Sequence, residues 1–280
     1  MDRAERTQPR LMDVRMAAMP RVWRSYLENE RAIFGVLSFV GFFVFWEVGA
    51  AVGWVDLFFF SSPSRILTAA IREVQLPRLW DDFRVSGTEL IVGYLGAVAL
   101  GVPLGIFAGW YRRFNFFIDP WLNFMNALPR VALLPLIVLW VGIGIWSKIV
   151  VVFLGAFFTI VINTLYGVRT VDRRLLEVAA SFNASQVRVF TSVVLPGSVP
   201  FILAGLRLGV GRALIGVIVG ELYSSNAGVG HMITIAAQTL QTDRLLFGVI
   251  LLTLMGVVAV ELLRVVERRF QAWRPKVGAG

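Results

Sequence analysis

The sequence of 280 residues predicts an all-α membrane protein of about six transmembrane helices. Three observations carry this. Hydrophobic residues make up 57% and charged residues only 16%, with a mean hydropathy of +0.73, whereas soluble domains sit near half apolar and a quarter charged. Six stretches approach the roughly 20 apolar residues that cross about 30 Å of hydrocarbon. The cations lie between those stretches instead of clustering on one polar face, which disfavours a nucleic-acid binder of the same +9 charge.

Taken in order, segment 1–31 is polar, with seven Arg and two Pro, and reads as a cytoplasmic tail without a cleaved signal peptide. Within it, RVWRSYLENER (21–31) suits either an interfacial amphipathic helix or a solvated tail. Spans are expected at 32–52, 86–110, 116–145, 149–168, 199–222 and 245–266. A transmembrane domain thus covers 32–266, and a second cytoplasmic tail covers 267–280. The connection 53–85 carries a helix start at Ser62 and Pro63, with Ile66, Leu67, Ala70 and Ile71 at helical spacing. Gly93, Gly96, Gly101, Gly105 and Gly109 on the second span read as a close-packing face. Pro129 and Pro135, flanking Arg130, predict a break in the third span, and broken helices at membrane depth line cavities. With the N-terminus inside, the inner segments hold 18 Lys and Arg and the outer segments six, so both termini are expected in the cytoplasm.

The inventory removes several chemistries. There is no Cys, and His231 is the only His, so a zinc site of ordinary composition and a HExxH protease are excluded. His231 itself reads as a packed loop residue. No GxxxxGK[ST] loop occurs; ATP, if used, must be bound by another subunit. No catalytic residue, metal site or cofactor of the chain's own is expected.

The connection 169–198 is the most informative. Residues 172–200 read DRRLLEVAASFNASQVRVFTSVVLPGSVP. Asp172 can cap a helix carrying the apolar residues Leu175, Leu176, Ala179, Ala180 and Phe182, and Glu177 lies within ion-pair reach of Arg173 and Arg174. Asn183 suits a left-handed helix end. A second short run, 185–194, is expected to stop at Leu195-Pro196.

This pattern, E-x-A-A-x-x-x-A-S-x-x-x-x-F-x-x-V-x-L-P, resembles the EAA loop of bacterial ABC importer permeases. It matches at Glu177, Ala179, Ala180, Ala184, Ser185, Phe190, Val193, Leu195 and Pro196, with Asn183 where the family usually has Gly. SSPSRIL, LPRVALLPLIVLWVGIGIWSKI and PFILAGLRLGVGRALIGVIVGEL are similar to the nitrate/sulfonate/taurine branch of the binding-protein-dependent permeases. The resemblance implies a MetI-like ABC permease fold and a homodimer in a bacterial inner membrane. Two ABC ATPase subunits, which bind ATP and Mg, would sit on its cytoplasmic side, and an extracytoplasmic substrate-binding protein outside. Glu177, Ala179, Ala180, Asn183, Ala184, Ser185, Leu195 and Pro196 would then form the ATPase-coupling region. No nucleic acid is expected as a partner.

Charges at membrane depth are costly and usually either functional or paired. Arg130, Arg212 and Glu221 are candidates for the translocation pathway of an anion, the competing reading being structural pairs with Glu47, Glu89 or Glu221. Arg207 is shallower and can reach the interface. Gly228 and Gly230 in 224–238 are candidates for an outer gate loop by the same resemblance. Two alternatives stand beside this reading: an importer for a neutral cargo such as a thiamine precursor or riboflavin, and a stand-alone ion-coupled secondary transporter. The latter would want mid-membrane acids and matching halves.

Overall fold

The computed structural model describes residues 21–270, and every regular element in it is helical. The chain divides into two compact units, one up to Arg65 and one from Ile66 onward.

The first unit is built on α1 (Arg21–Val52), whose apolar part, Ile33–Val52, is long enough to span. Gly53 turns the chain at φ +85°, and Asp56 caps the short α2 (Leu57–Phe60) by accepting from the Phe58 amide at 2.8 Å. The Ser64 hydroxyl and amide both donate to the Glu47 carboxylate, at 2.7 and 3.0 Å. Glu47 is therefore occupied by the start of the next helix.

That helix, α3 (Pro63–Val74), begins at the proline that the sequence indicates. α4 (Pro77–Trp110) starts nine residues before the expected boundary, because Leu76 is extended and Pro77 sits at the first helical position, where a missing N–H costs little. Next comes α5 (Arg112–Ala127). The third span is not one helix: Leu128 is extended ahead of Pro129, as the residue before a proline prefers. A 3₁₀ turn (Arg130–Leu133) then leads into α6 (Leu134–Val141), bent by 86° from α5.

α7 (Ile145–Arg169) is the central helix, the most buried of the spans. On one side it receives the glycine face of α4. A Cβ on Gly93, Gly105 or Gly109 would lie 2.6 Å from side-chain atoms of Val152, Thr164 and Val168 respectively. On the other side it meets α10 (Leu195–Ser224), where Gly155 approaches the Arg212 carbonyl and Gly216 the Val152 backbone. Leu90, Ala97, Val152, Ala156, Ile160, Ala213 and Val217 form the core of this three-helix layer. Gly105→Val is expected to cost about 1–3 kcal/mol by overpacking. Gly87→Ala on the same helix, with nothing within 4 Å of its Cβ, should be neutral or slightly stabilising. Unfolding midpoints in detergent check both; equal midpoints would mean that α4 and α7 are not locked.

Between α7 and α10 lie α8 (Arg173–Ser181) and α9 (Gln186–Val189). The expected stop at Leu195-Pro196 does not occur. A π-helical turn (Phe190–Val194) lets the Leu195 amide reach back to the Phe190 carbonyl, and Pro196 falls in the first turn of α10. The stretch Gln186–Tyr223 is consequently one helical rod. α11 (Val229–Gln238) and α12 (Thr242–Phe270) complete the second unit. The segment read as a gate loop is thus mostly helix, and His231 lies half-buried in its first turn. Arg244 of α12 pairs with the buried Glu73 of α3 at 3.0 Å, and Arg207 pairs with Glu267 of α12.

Candidate functional site

α8 is set by its ends. The Asp172 carboxylate accepts from the Arg174 amide at 2.9 Å, and Asn183 takes φ +50°. The amides of Asn183 and Ala184 then close onto the carbonyls of Ala180 and Ala179, and the Ser185 hydroxyl oxygen caps α9. Glu177 pairs with Arg173 at 3.2 Å, and both side chains are exposed, so the pair adds little stability.

Ala180, Asn183 and Ser185 are exposed, while Ala179 and Ala184 are half-buried. Around them stand Leu175, Val178, Val187 and Phe182, the last 82% exposed. An apolar face of this kind around small residues fits a protein partner better than water. Leu195 and Pro196 are not part of it: they are half-buried in the first turn of α10. Phe190 packs edge-on against Trp110, with centroids 5.1 Å apart, tying the loop to the end of α4.

A cavity of about 300 Å³ opens between α5, the 3₁₀ turn, α7 and α10. Arg212 lines it together with Asn126, Thr159, Val151, Ile215 and Val219. Among the described residues Arg212 has no ion pair: Glu47 is held by Ser64, Glu89 by Lys148, and Glu221 by Ser86 and Gly230. The acidic partners named for Arg212 are thus each engaged elsewhere. The Arg130 side chain lies outside the described residues.

Glu221 does not share that cavity. It lies nine residues after Arg212, two and a half helical turns on, and therefore on the opposite face of α10. Its side chain is buried, accepting from the Ser86 hydroxyl at 2.6 Å and the Gly230 amide at 2.5 Å. The Val229 amide donates to the Ser86 oxygen, and the Gly228 amide to Asp82, at 2.9 and 2.7 Å. Lys148, at the start of α7, lies 3.1 Å from Glu89 and donates to Ser225 at 2.7 Å. The result is a buried polar knot that binds the α10–α11 connection to α4 and α7. Only glycine fits at 228: φ is +117°, and a Cβ would run into the Glu221 carboxylate. Glu221, expected along the translocation pathway, is a member of this knot, and Gly228 and Gly230 are buried within it.

With the exposed loop, the cavity and the knot in place, comparison with known proteins decides the family. Residues 101–272 match the model of the binding-protein-dependent transport system inner membrane component. The chain belongs to that family. This permease is 34% identical to a protein of Bacillus subtilis (strain 168) named for aliphatic sulfonates transport, SsuC, over 82% of the chain and 83% of that protein. It is 33% identical to the taurine transport system permease protein TauC of Escherichia coli (strain K12), over 71% and 72%. An inward-facing structure of the MetNI methionine ABC transporter covers 68% of the permease and 96% of its own chain, with a TM-score of 0.54 at 18% identity, a likeness of fold.

Sequence reasoning missed Asp82, Ser86 and Lys148 in the permease's knot, and offered Glu89 only as a partner for a membrane arginine. One signal was available. Lys148 is one of two lysines in a chain with 25 arginines, and a compact ammonium suits a tight buried site better than a guanidinium fork.

Proposed function

We propose that this permease works as a homodimer in a bacterial inner membrane, importing a small anion of the sulfonate, taurine or nitrate type by alternating access. Two ABC ATPase subunits, which bind ATP and Mg, drive it from the cytoplasm, and an extracytoplasmic binding protein delivers the solute. The chain performs no chemistry of its own. Both termini face the cytoplasm, in keeping with the bias of Lys and Arg. The cargo class rests on the relatives named for sulfonate and taurine transport.

The observation that carries the reading is α8 with its C-terminal turn, where Glu177, Ala180 and Asn183 are exposed beside Leu175, Val178 and Phe182. That surface is the ATPase contact. Its movement reaches the membrane through the rod Gln186–Tyr223, which at 1.5 Å per residue is roughly 57 Å long and carries both Arg212 and Glu221. The Phe190–Trp110 contact passes the same motion to α4. At the other end of the rod, the knot around Gly228 and Gly230 acts as the outer gate, and Arg212 lines the path.

The test is Glu177→Ala in the assembled transporter. Uptake should fall by roughly tenfold, corresponding to about 1.4 kcal/mol of lost contact, while the unfolding midpoint stays unchanged because the Arg173 pair is exposed. Normal uptake by a variant that still assembles with its ATPase would remove α8 from the coupling interface. A secondary transporter would be indifferent to the change.

A further inference from the structure

We propose that the permease holds its own solute site, a cavity in which Arg212 and Thr159 grip the sulfonate group of a short alkyl sulfonate while Val151, Ile215 and Val219 cover its alkyl tail. The inference rests on the proposed import of sulfonate-type anions and gives that import a binding step inside the membrane. α7 and α10 run antiparallel in contact: Gly155 meets Arg212, Gly216 meets Val152, and Gly220 meets Lys148. Val151, Gly155 and Thr159 recur every fourth residue along α7, and Arg212, Ile215, Gly216 and Val219 form the facing stripe on α10. Antiparallel pairing therefore sets Thr159 opposite Gly209, about one turn from Arg212 on the side toward which a helical side chain leans, and Val151 opposite Gly216, within a turn of Val219. The cavity has a polar pole and an apolar pole, separated along the helix axes.

The charge strengthens the argument. Arg212 is the eighteenth of the 30 residues of α10, close to the middle of the span, and its side chain is exposed to the cavity without an ion pair among the described residues. A guanidinium at that depth without a carboxylate is costly unless water or a ligand anion satisfies it. Its planar fork matches two oxygens of a sulfonate, and the Thr159 hydroxyl can donate to a third. About 300 Å³ is the lower end of the range for small-molecule sites, which suits a short alkyl sulfonate. The apolar pole predicts that an alkyl sulfonate binds more tightly than bare nitrate.

The test is calorimetric titration of the permease with its ATPase subunits in nanodiscs, without binding protein. The probes are ethanesulfonate, its neutral analogue ethyl methyl sulfone, and nitrate. Wild type should bind ethanesulfonate saturably, at least roughly tenfold more tightly than the sulfone. Arg212→Ala should weaken it by roughly 10- to 100-fold, Arg212→Lys less, and Thr159→Val a few-fold, all in protein that retains its elution volume and unfolding midpoint. No saturable sulfonate binding to wild type, equal binding of the sulfone, or unchanged binding in Arg212→Ala each overturns the site. Ethanesulfonate uptake by the complete system is read separately. Uptake without binding to the permease sinks the site and leaves the import reading standing; Arg212-dependent binding without uptake upholds the site and sinks the assigned cargo.

Discussion

Replacing Lys148 by Met is expected to destabilise the permease by about 3–5 kcal/mol, the usual cost of removing one partner of a buried ion pair. The Lys148 side chain is only 6% exposed and that of Glu89 0%, so the abandoned carboxylate cannot be rehydrated in place. Ser225 loses its contact with the ammonium at the same time, loosening the α10–α11 connection from α7. The double variant Lys148→Met with Glu89→Leu should recover much of the loss, since exchanging a buried pair for apolar groups is often close to neutral. Unfolding midpoints of the two singles and the double form the cycle that measures this. Additive losses would show that the two residues do not interact.

Gly228→Ala carries the second large effect. At φ +117° an L residue is strained, by about 1–3 kcal/mol. The added methyl group also drives the Glu221 carboxylate away from the Ser86 hydroxyl and the Gly230 amide, leaving a buried carboxylate short of donors. Gly142, at φ +89° with nothing within 4 Å of its Cβ, isolates the first contribution. Gly142→Ala should therefore lower the unfolding midpoint clearly less than Gly228→Ala. Adding Glu221→Ala to Gly228→Ala should relieve the clash and return part of the difference. Equal losses at 142 and 228 would mean that strain alone matters and that Glu221 does not hold this connection. If the knot is the outer gate, Gly228→Ala protein that survives should also leak solute in the absence of ATP.

Several features were legible because their causes are local. Composition and run length announce the spans, since lipid admits only apolar helices of sufficient length. The break at Leu128-Pro129 follows from the steric restriction on the residue before proline. The bounds of α8 follow from Asp172 and Asn183, whose side chains act within a few residues of themselves. The glycine face of α4 follows from helical spacing, and its partners on α7 stand at the matching spacing. The continuation through Pro196 was missed because a proline ordinarily ends a helix, and a π turn is a compromise struck with neighbouring packing.

The chain's own order therefore determined that this is a helical membrane protein, where its third span breaks and where α8 begins and ends, and that its loop between the fourth and fifth spans bears the motif of its family. Only the tertiary structure decided which buried charges meet. Ser86 and Glu221 lie 135 positions apart, and Lys148 and Ser225 77 apart. No periodicity links such residues, because their pairing depends on how α4, α7 and α10 slide past one another. Gly93, Gly105, Gly155 and Gly216 set that sliding by letting the helices close to contact. It turns Arg212 into a cavity on one face of α10 and Glu221 into a buried knot on the other.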